Sequence, residues 1–330
     1  LYRCGMILVT GGAGFIGSNI VAALAGSGEA VAVCDRLRQA DKWHNLAHVA
    51  LRELIPPDEL LAWLAAHAAA IEAVVHMGAI SSTTETDVDL IVAVNFRLSQ
   101  ALWRWCALEG KRFIYASSAA TYGGGEQGFD DDPRRLPFLR PLNAYGWSKQ
   151  LFDRWVASTL AAEDPSPPQW VGLKFFNVYG PNEYHKGSMR SVIAQKYPLA
   201  AAGRPVTLFR SHRPDVPDGG QKRDFIYVRD CVRVVQWLLA HRAVNGLFNL
   251  GTGRARSFAE LAGALLAALQ RPQRIEYIEA PPEVLAHYQY FTEARMERLR
   301  EVGYTEPFTT LEEGVAEYVQ RYLSQPDPYL

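Results

Sequence analysis

The stretch "ILVTGGAGFIGSN", residues 7–19, runs from an apolar strand straight into glycines at 11, 14 and 17 and then into a helix. Each glycine has a separate physical use. Gly11 permits the tight turn, Gly14 lets the backbone approach a pyrophosphate, and Gly17 lets the helix lie close to the strand. The helix N-terminus adds positive potential. A glycine trio alone would also serve any tight strand–helix turn. Here the next apolar run, "AVAVCD" (30–35), ends in Asp35, at the spacing of about twenty residues from which a carboxylate reaches an adenosine ribose. The pattern predicts a dinucleotide site. Asp35 suits a free ribose 2′-hydroxyl and so NAD, whereas Arg36 and Lys42 suit a 2′-phosphate and so NADP. Read as plain surface charges, Arg36 and Lys42 would carry no such preference. The balance favours NADP and leaves NAD open.

Outward from this turn the same alternation continues. "MILVT" (6–10), "AVVHMGA" (73–79), "FIYASS" (113–118) and "WVGLKFFNV" (170–178) are short β-branched or aromatic runs, and helical stretches at 18–27, 58–70, 95–109 and 145–162 separate them. Nearly continuous apolar strands alternating with helices predict an α/β fold: a Rossmann-type doubly wound parallel sheet covered on both faces. Beyond residue 177 the pattern loosens and Pro, Gly and charge rise, as in "RSHRPDVPDGGQKRD" (210–224). The expected division is a dinucleotide-binding domain over 6–177 and a smaller C-terminal α/β substrate lobe over 178–330, with the chain free to cross back. The segment 123–141, "GGGEQGFDDDPRRLPFLRP", reads as a surface loop with solvated charges.

The 330 residues carry a net charge of −1, with 48 % hydrophobic and 21 % charged content. That balance argues against a dedicated nucleic-acid binder. The four cysteines (4, 34, 106 and 231) are far apart and form no C-x-x-C pair, and the eight histidines are scattered. A reduced cytoplasmic setting without a metal site is expected. No apolar run reaches the length of a membrane span, and no signal-peptide pattern opens the chain. "LYRCG" (1–5) precedes the first strand and reads as an extension.

"YGWSK" places Tyr145 and Lys149 at i and i+4, on one face of a helix. An ammonium nearby favours tyrosinate and draws the phenol toward a pKa at which it takes a proton from an alcohol. Ser118, at the end of "FIYASS", is placed to hydrogen-bond the same substrate oxygen. Tyr-x-x-x-Lys by itself is common on helix surfaces. Coupled to the glycine turn and the strand-end serine, it points to hydride chemistry on an alcohol.

From Met6 to about Tyr322 the chain resembles the extended short-chain dehydrogenase/reductase family. The glycine turn, "SSAATYG" (117–123), "YGWSK", "FNVYGP" (176–181), "RDFIYVRD" (223–230) and "FNLGTG" (248–253) carry the resemblance. Within the family it is most similar to the 6-epimerases of ADP-linked heptose. That narrower likeness rests on "MGAISSTTE" (77–85), "PLNAYGWSK" (141–149), "FFNVYGPNEYHKGSM" (175–189), "FNLGTGRARSF" (248–258) and "HYQYFTEA" (287–294).

The resemblance implies inversion at the exocyclic sixth carbon of ADP-D-glycero-D-manno-heptose, a lipopolysaccharide core precursor, by transient oxidation with a cofactor that stays bound. It also implies a homo-oligomer. Because the nicotinamide is stationary, the ketone must present its other face and its oxygen then points elsewhere. Two proton carriers serve the two epimers: by resemblance Tyr145 is one and Lys186 the other, while Lys149 binds the nicotinamide ribose. Apart from the resemblance, Lys186 reads equally as a solvated loop lysine or a phosphate anchor. As a base it must be partly neutral, through burial or a neighbouring cation such as Lys149. By position Phe15, Ile16, Met77, Gly78, Ala79, Ile80, Ser81, Asn95 and Val178 match cofactor contacts. Ser82, Asn177, Ser188, Gln195, Phe209, Arg210, Ser211, His212, Arg223 and Tyr288 match nucleotide-sugar contacts. Arg223 has its own rationale, since a guanidinium forks onto a diphosphate; the alternative is a surface salt bridge.

The chain also departs from the pattern. Arg36 stands where the family has asparagine, Gln195 where it has histidine, "ELIPPDEL" around Pro57 lacks an expected lysine, and the loop from Phe209 to Phe225 is longer. The rival readings are a UDP-hexose 4-epimerase, which has no need of Lys186, and a non-catalytic NADP-binding sensor, which has no need of Tyr145, Lys149 and Ser118. A 4,6-dehydratase would carry an Asp-Glu pair after Ser118, where this chain has "AATYGG".

Overall fold

A computed structural model describes residues 5–38, 41–282 and 288–330. The first strand, Met6–Thr10 (β1), is central because Leu8 and Val9 are wholly buried from both faces. Ala30–Cys34 (β2), Glu53–Ile55 (β3), Ile71–His76 (β4), Arg112–Ser118 (β5) and Trp170–Phe175 (β6) follow. Next come Asn177–Tyr179 (β7), Val206–Phe209 (β8), Lys222–Tyr227 (β9), Gly246–Leu250 (β10), Ala255–Ser257 (β11) and Ile275–Ile278 (β12). Seven strands form one sheet in the order β10-β6-β5-β4-β1-β2-β3, and every pairing in it is parallel. Strand order reverses at β1, with β2 on one side and β4 on the other. This opens a crevice beyond the carboxyl ends of β1 and β4, where doubly wound sheets bind ligands.

Helix Phe15–Gly26 (α1) leaves the glycine turn, and Leu60–His67 (α2) follows β3. Between β4 and β5 the helix begins at Val88, well before the expected residue 95. Asp87 caps Val88–Ile91 (α3) by accepting the Leu90 N–H at 3.0 Å. A wider π-type turn over Val92–Arg97 then leads into Leu98–Leu108 (α4). Such turns rotate side chains out of helical phase, and here Asn95 ends up fully buried. Ala144–Ala161 (α5) is capped by Asn143, whose Oδ1 accepts the Gly146 N–H at 2.8 Å.

The apolar run 170–178 is two strands. Phe176 N–H is taken by the Leu250 carbonyl, and the chain turns at Asn177 into a second sheet of order β11-β9-β7. Helix Val192–Ala201 (α6) and the parallel pair β12-β8 complete that region. The chain then crosses back. Helix Val228–Ala240 (α7) buries Cys231, Val234, Val235 and Leu238 in the main core, and β10 joins the large sheet beside β6. Residues after 177 therefore contribute to both lobes. Helices Phe258–Ala268 (α8) and Leu311–Tyr318 build a second core with Tyr179, Phe225 and Tyr227.

The loop 123–141 departs from a wholly solvated segment. Asp131 is buried and accepts the Asn249 N–H at 2.7 Å, and burial pushes its carboxyl up to about 6. No helix among the described residues is long and apolar enough to cross a membrane.

Candidate functional site

The glycine turn leaves no room for side chains. Gly11 has φ +65°, and a Cβ on it would lie 2.6 Å from the Gly78 Cα. A Cβ on Gly17 would lie 2.1 Å from the Gly11 carbonyl oxygen. Gly14 caps α1 without any side-chain acceptor. The first N–H groups of the helix are thus left for an anion, with the dipole in support.

Asp35 is fully engaged. Its Oδ2 accepts the Ala13 N–H at 2.9 Å, and its Oδ1 accepts the Arg36 N–H at 2.7 Å and the Lys42 ammonium at 2.6 Å. Arg36 itself swings out to Asp58 on the surface, at 2.5 Å. Lys42, half-buried, is the cation held at the carboxylate. Buried Asn45, absent from the sequence expectations, donates to the Ala13 carbonyl at 2.9 Å and the Asn182 carbonyl at 3.1 Å. It joins the glycine turn to the Lys186 loop.

Across the crevice, β4 ends at His76, and Met77, Gly78, Ala79, Ile80, Ser81 and Ser82 form the loop beyond it. Met77 N–H bonds the Thr10 carbonyl and Gly78 N–H bonds Thr10 Oγ1, so this loop lies against the glycine turn. Asn95 accepts the Ile80 N–H and donates to the Ile80 carbonyl and to Ser148 Oγ. Its side chain holds the loop to α5. The His76 ring lies between Thr10 Oγ1 at 2.6 Å and Ser99 Oγ at 2.9 Å. Burial, with the nearby Lys149 ammonium acting in the same direction, pushes its pKa down to about 3.

Tyr145 and Lys149 both reach the crevice from the first turns of α5, as i,i+4 spacing requires. Burial holds the Tyr145 phenol above its ordinary pKa, with nearby Ser118 pulling the other way. The expected lowering by Lys149 is absent. The Lys149 ammonium turns to the Ala116 carbonyl at 2.8 Å. With Lys149 only 4 % exposed, burial lowers its pKa to about 8, against an upward pull from Asp153. Asp153 is already matched by Lys174 at 2.7 Å and Ser117 Oγ at 2.6 Å beneath the site.

Lys186 lies in a short helical turn, Tyr184–Met189, and is half-buried. Its Nζ sits 5.4 Å from the centroid of the Phe15 ring, on the first turn of α1. The ammonium is therefore turned back toward the glycine turn. Burial lowers its pKa, with Glu183 opposing; the cause is desolvation rather than a neighbouring cation. Glu183 anchors the loop from below. It is buried and accepts from Ser191 N–H, from Ser191 Oγ at 2.6 Å and from the Tyr318 hydroxyl at 3.0 Å. Nothing in the sequence singled out Glu183, because its partners lie on other elements. Thr83 Oγ1 approaches Met189 Sδ at 3.9 Å, so the loops after β4 and before α6 meet.

In the second lobe Arg223 is 8 % exposed, and among the described residues no carboxylate pairs with it. Its guanidinium lies 5.6 Å from the Phe258 ring centroid and 5.5 Å from that of Tyr288, and donates to the Lys222 carbonyl. The salt-bridge alternative thus has no partner, and a buried charge without one calls for an anion. Other positions are more exposed. Asn177 opens β7 at the surface, and Val178 packs between the two cores. Gln195 donates to the Ser188 and Arg190 carbonyls. Phe209 ends β8. Arg210 pairs with Asp218 at 3.3 Å and Glu279 at 3.5 Å, Ser211 N–H bonds Asp218, and His212 faces Glu279 at 3.6 Å. Arg210 and His212 are thus matched by Asp218 within the loop and by Glu279 beyond it. His287, in the quoted stretch before Tyr288, lies outside the described residues.

The crevice combines an open helix N-terminus, a Tyr–Ser–Lys group and a second lysine. Residues 7–251 match the family model described as NAD dependent epimerase/dehydratase. The chain belongs to the NAD dependent epimerase/dehydratase family. It is 49 % identical over 329 residues to ADP-L-glycero-D-manno-heptose-6-epimerase of Nitratidesulfovibrio vulgaris (strain DP4), covering 98 % of this chain and 100 % of that one. Among solved structures it is similar to the ADP-L-glycero-D-manno-heptose-6-epimerase of Helicobacter pylori, with TM-score 0.79 and 28 % identity over 96 % of both chains. It is also similar to the UDP-glucose 4-epimerase of Thermus thermophilus in complex with NAD, with TM-score 0.73 and 26 % identity, covering 95 % of this chain and 97 % of that one. As a member of the NAD dependent epimerase/dehydratase family the chain is an enzyme that uses a nicotinamide cofactor, and the cradle at Gly11, Gly14 and Gly17 fits one.

Proposed function

We propose that this enzyme inverts the sixth carbon of ADP-D-glycero-D-manno-heptose to give ADP-L-glycero-D-manno-heptose. One observation carries the reading: a second lysine, Lys186, is turned inward against Phe15 instead of lying free on its loop. A 4-epimerase has no use for it. A bound nicotinamide, held at the turn of Gly11, Gly14 and Gly17, would supply the hydride acceptor and donor for the sixth carbon.

The protein's own groups handle the protons. An ordinary phenol is already protonated at neutral pH and burial raises Tyr145 further, so Tyr145, beside Ser118, has a proton to give to a carbonyl oxygen on its side. Lys186 has a pKa lowered by burial and takes the proton from the alcohol of the other epimer. Between turnovers Lys186 gives its proton to solvent and Tyr145 takes one up, and in the reverse direction the two exchange roles. Lys149 remains a donor at the base of the site. Arg223 meets the diphosphate with a fork of N–H donors, and its aromatic neighbours keep it from water.

The cofactor of this proposal is NADP. The Lys42 ammonium at Asp35 cancels the charge that would repel a 2′-phosphate and offers it a cation. Turnover settles the substrate. With ADP-D-glycero-D-manno-heptose, proton NMR should show accumulation of the L-glycero epimer, and UDP-galactose should give no UDP-glucose. The opposite result would establish the 4-epimerase reading, and no turnover of either would leave the sensor.

A further inference from the structure

Three segments far apart in the chain meet outside the glycine turn: 42–48, which carries Lys42 and Asn45; 182–186, which carries Lys186; and 327–330. No strand pairing joins them, so side chains do. His48 Nε2 lies 2.9 Å from Asp327 Oδ2. The Tyr329 ring stacks on His44, with centroids 4.9 Å apart and planes at 18°, and His44 stacks in turn on Trp43 at 3.8 Å. On its other side Tyr329 meets Tyr184 edge-on, at 5.2 Å and 89°. The Tyr184 hydroxyl donates to the Pro328 carbonyl at 2.9 Å, and Leu330 N–H donates to Asn182 Oδ1 at 3.2 Å.

We infer that residues 327–330 are a strap that fastens the Lys42 segment to the Lys186 loop and sets how long the cofactor stays bound. The inference rests on the dinucleotide reading of the glycine turn. Tyr329 is the middle of a ring sequence Trp43–His44–Tyr329–Tyr184, in contact with a ring from each of the two segments. Inside it, buried Asn45 ties Ala13 of the glycine turn to Asn182 of the loop. Release of a dinucleotide lying on that turn requires these segments to separate, a local opening whose cost the strap raises. An enzyme that regenerates its cofactor in every turnover gains from such retention. Tyr329 and Tyr184 are thus positioning residues: they hold the segments bearing Lys42 and Lys186 without touching the reacting atoms.

The test uses the full chain loaded with NADPH, with release followed by loss of protein-enhanced fluorescence after mixing with excess unlabelled NADP. Tyr329→Ala should release NADPH about tenfold faster, and Tyr329→Phe, which keeps both ring contacts, should release it within about twofold of the unsubstituted rate. Asp327→Asn, a milder surface change, should give an intermediate increase and covers the case in which Tyr329→Ala fails to fold. Equal release from the unsubstituted protein, Tyr329→Ala and Asp327→Asn would overturn the strap while leaving the cofactor reading intact. Failure of the unsubstituted protein to bind NADP or NAD would overturn both.

Discussion

The Lys42 ammonium lies 2.6 Å from Asp35 Oδ1, so the carboxylate that marks an NAD ribose in the sequence pattern is already neutralised by a neighbour from the following segment. Asp35 also accepts the Ala13 and Arg36 N–H groups, which leaves it a part of the loop's own scaffold. Lys42→Ala should therefore weaken NADP by about tenfold or more and leave NAD little changed or improved, since a charge-assisted hydrogen bond is worth about 1.5–3 kcal/mol. Titration of the apo-protein with both dinucleotides checks this. Unaltered NADP affinity would move the 2′-phosphate elsewhere. Arg36→Ala should have a smaller effect, because its guanidinium is turned out to Asp58.

Lys186 faces Phe15 without a hydrogen-bond partner for its ammonium among the described residues. If it moves a proton, Lys186→Met should lower kcat by about 10²- to 10⁴-fold and shift KM by no more than a few-fold. A loss divided equally between kcat and KM would make it a phosphate anchor instead. Glu183→Gln keeps the shape of the loop's buried anchor and removes the charge that opposes neutralisation of Lys186. The rise of activity with pH should then begin at lower pH than in the unsubstituted enzyme.

Arg223 is buried between Phe258 and Tyr288, and among the described residues no carboxylate pairs with it. On the proposed reading it meets the diphosphate of the substrate. Arg223→Gln should raise KM for the nucleotide-sugar about 10- to 100-fold, and Arg223→Lys, a point charge without the fork, should recover only part of it. Steady-state kinetics on the three proteins is the measurement. Unchanged KM would leave that buried charge without an explanation.

His76 supplies a prediction about acid stability. Its pKa is about 3 in the fold, against about 6.5 when unfolded. Between those values the unfolded chain binds the extra proton, so stability is full above 6.5 and is lost as pH falls toward 3. At pH 5 the loss from this one group is about 2 kcal/mol relative to pH 7. Urea unfolding at the two pH values should show that loss in the natural chain and a smaller one in His76→Gln, which keeps a polar group between Thr10 and Ser99.

Local patterns carried the parts of the site that lie within one strand–turn–helix. Gly11, Gly14 and Gly17 were readable because their steric need is created by the same few residues, and Tyr145 with Lys149 because four residues make just over one helical turn. The parallel sheet followed from strands buried on both faces. Where several elements meet, residue type alone misled. The run 170–178 broke at Phe176 because Leu250, far along the chain, captures its N–H. Asp131 is buried beneath the Asn249 amide although its acidic neighbours suggest solvent. Tyr145 is raised by burial although a lysine at i+4 suggests the reverse.

The amino-acid order by itself determined the dinucleotide turn, the placing of Tyr145 and Lys149 on one helix face and the family, because each depends on local spacing. Only the tertiary structure decided that Lys186 points inward, that Arg223 pairs with no acid among the described residues, that Asp35 is already neutralised and that Tyr329 spans two loops. Those four facts depend on which distant side chains share a volume from which water is excluded. There burial and the presence or absence of a partner, rather than residue type, determine what a charge can do.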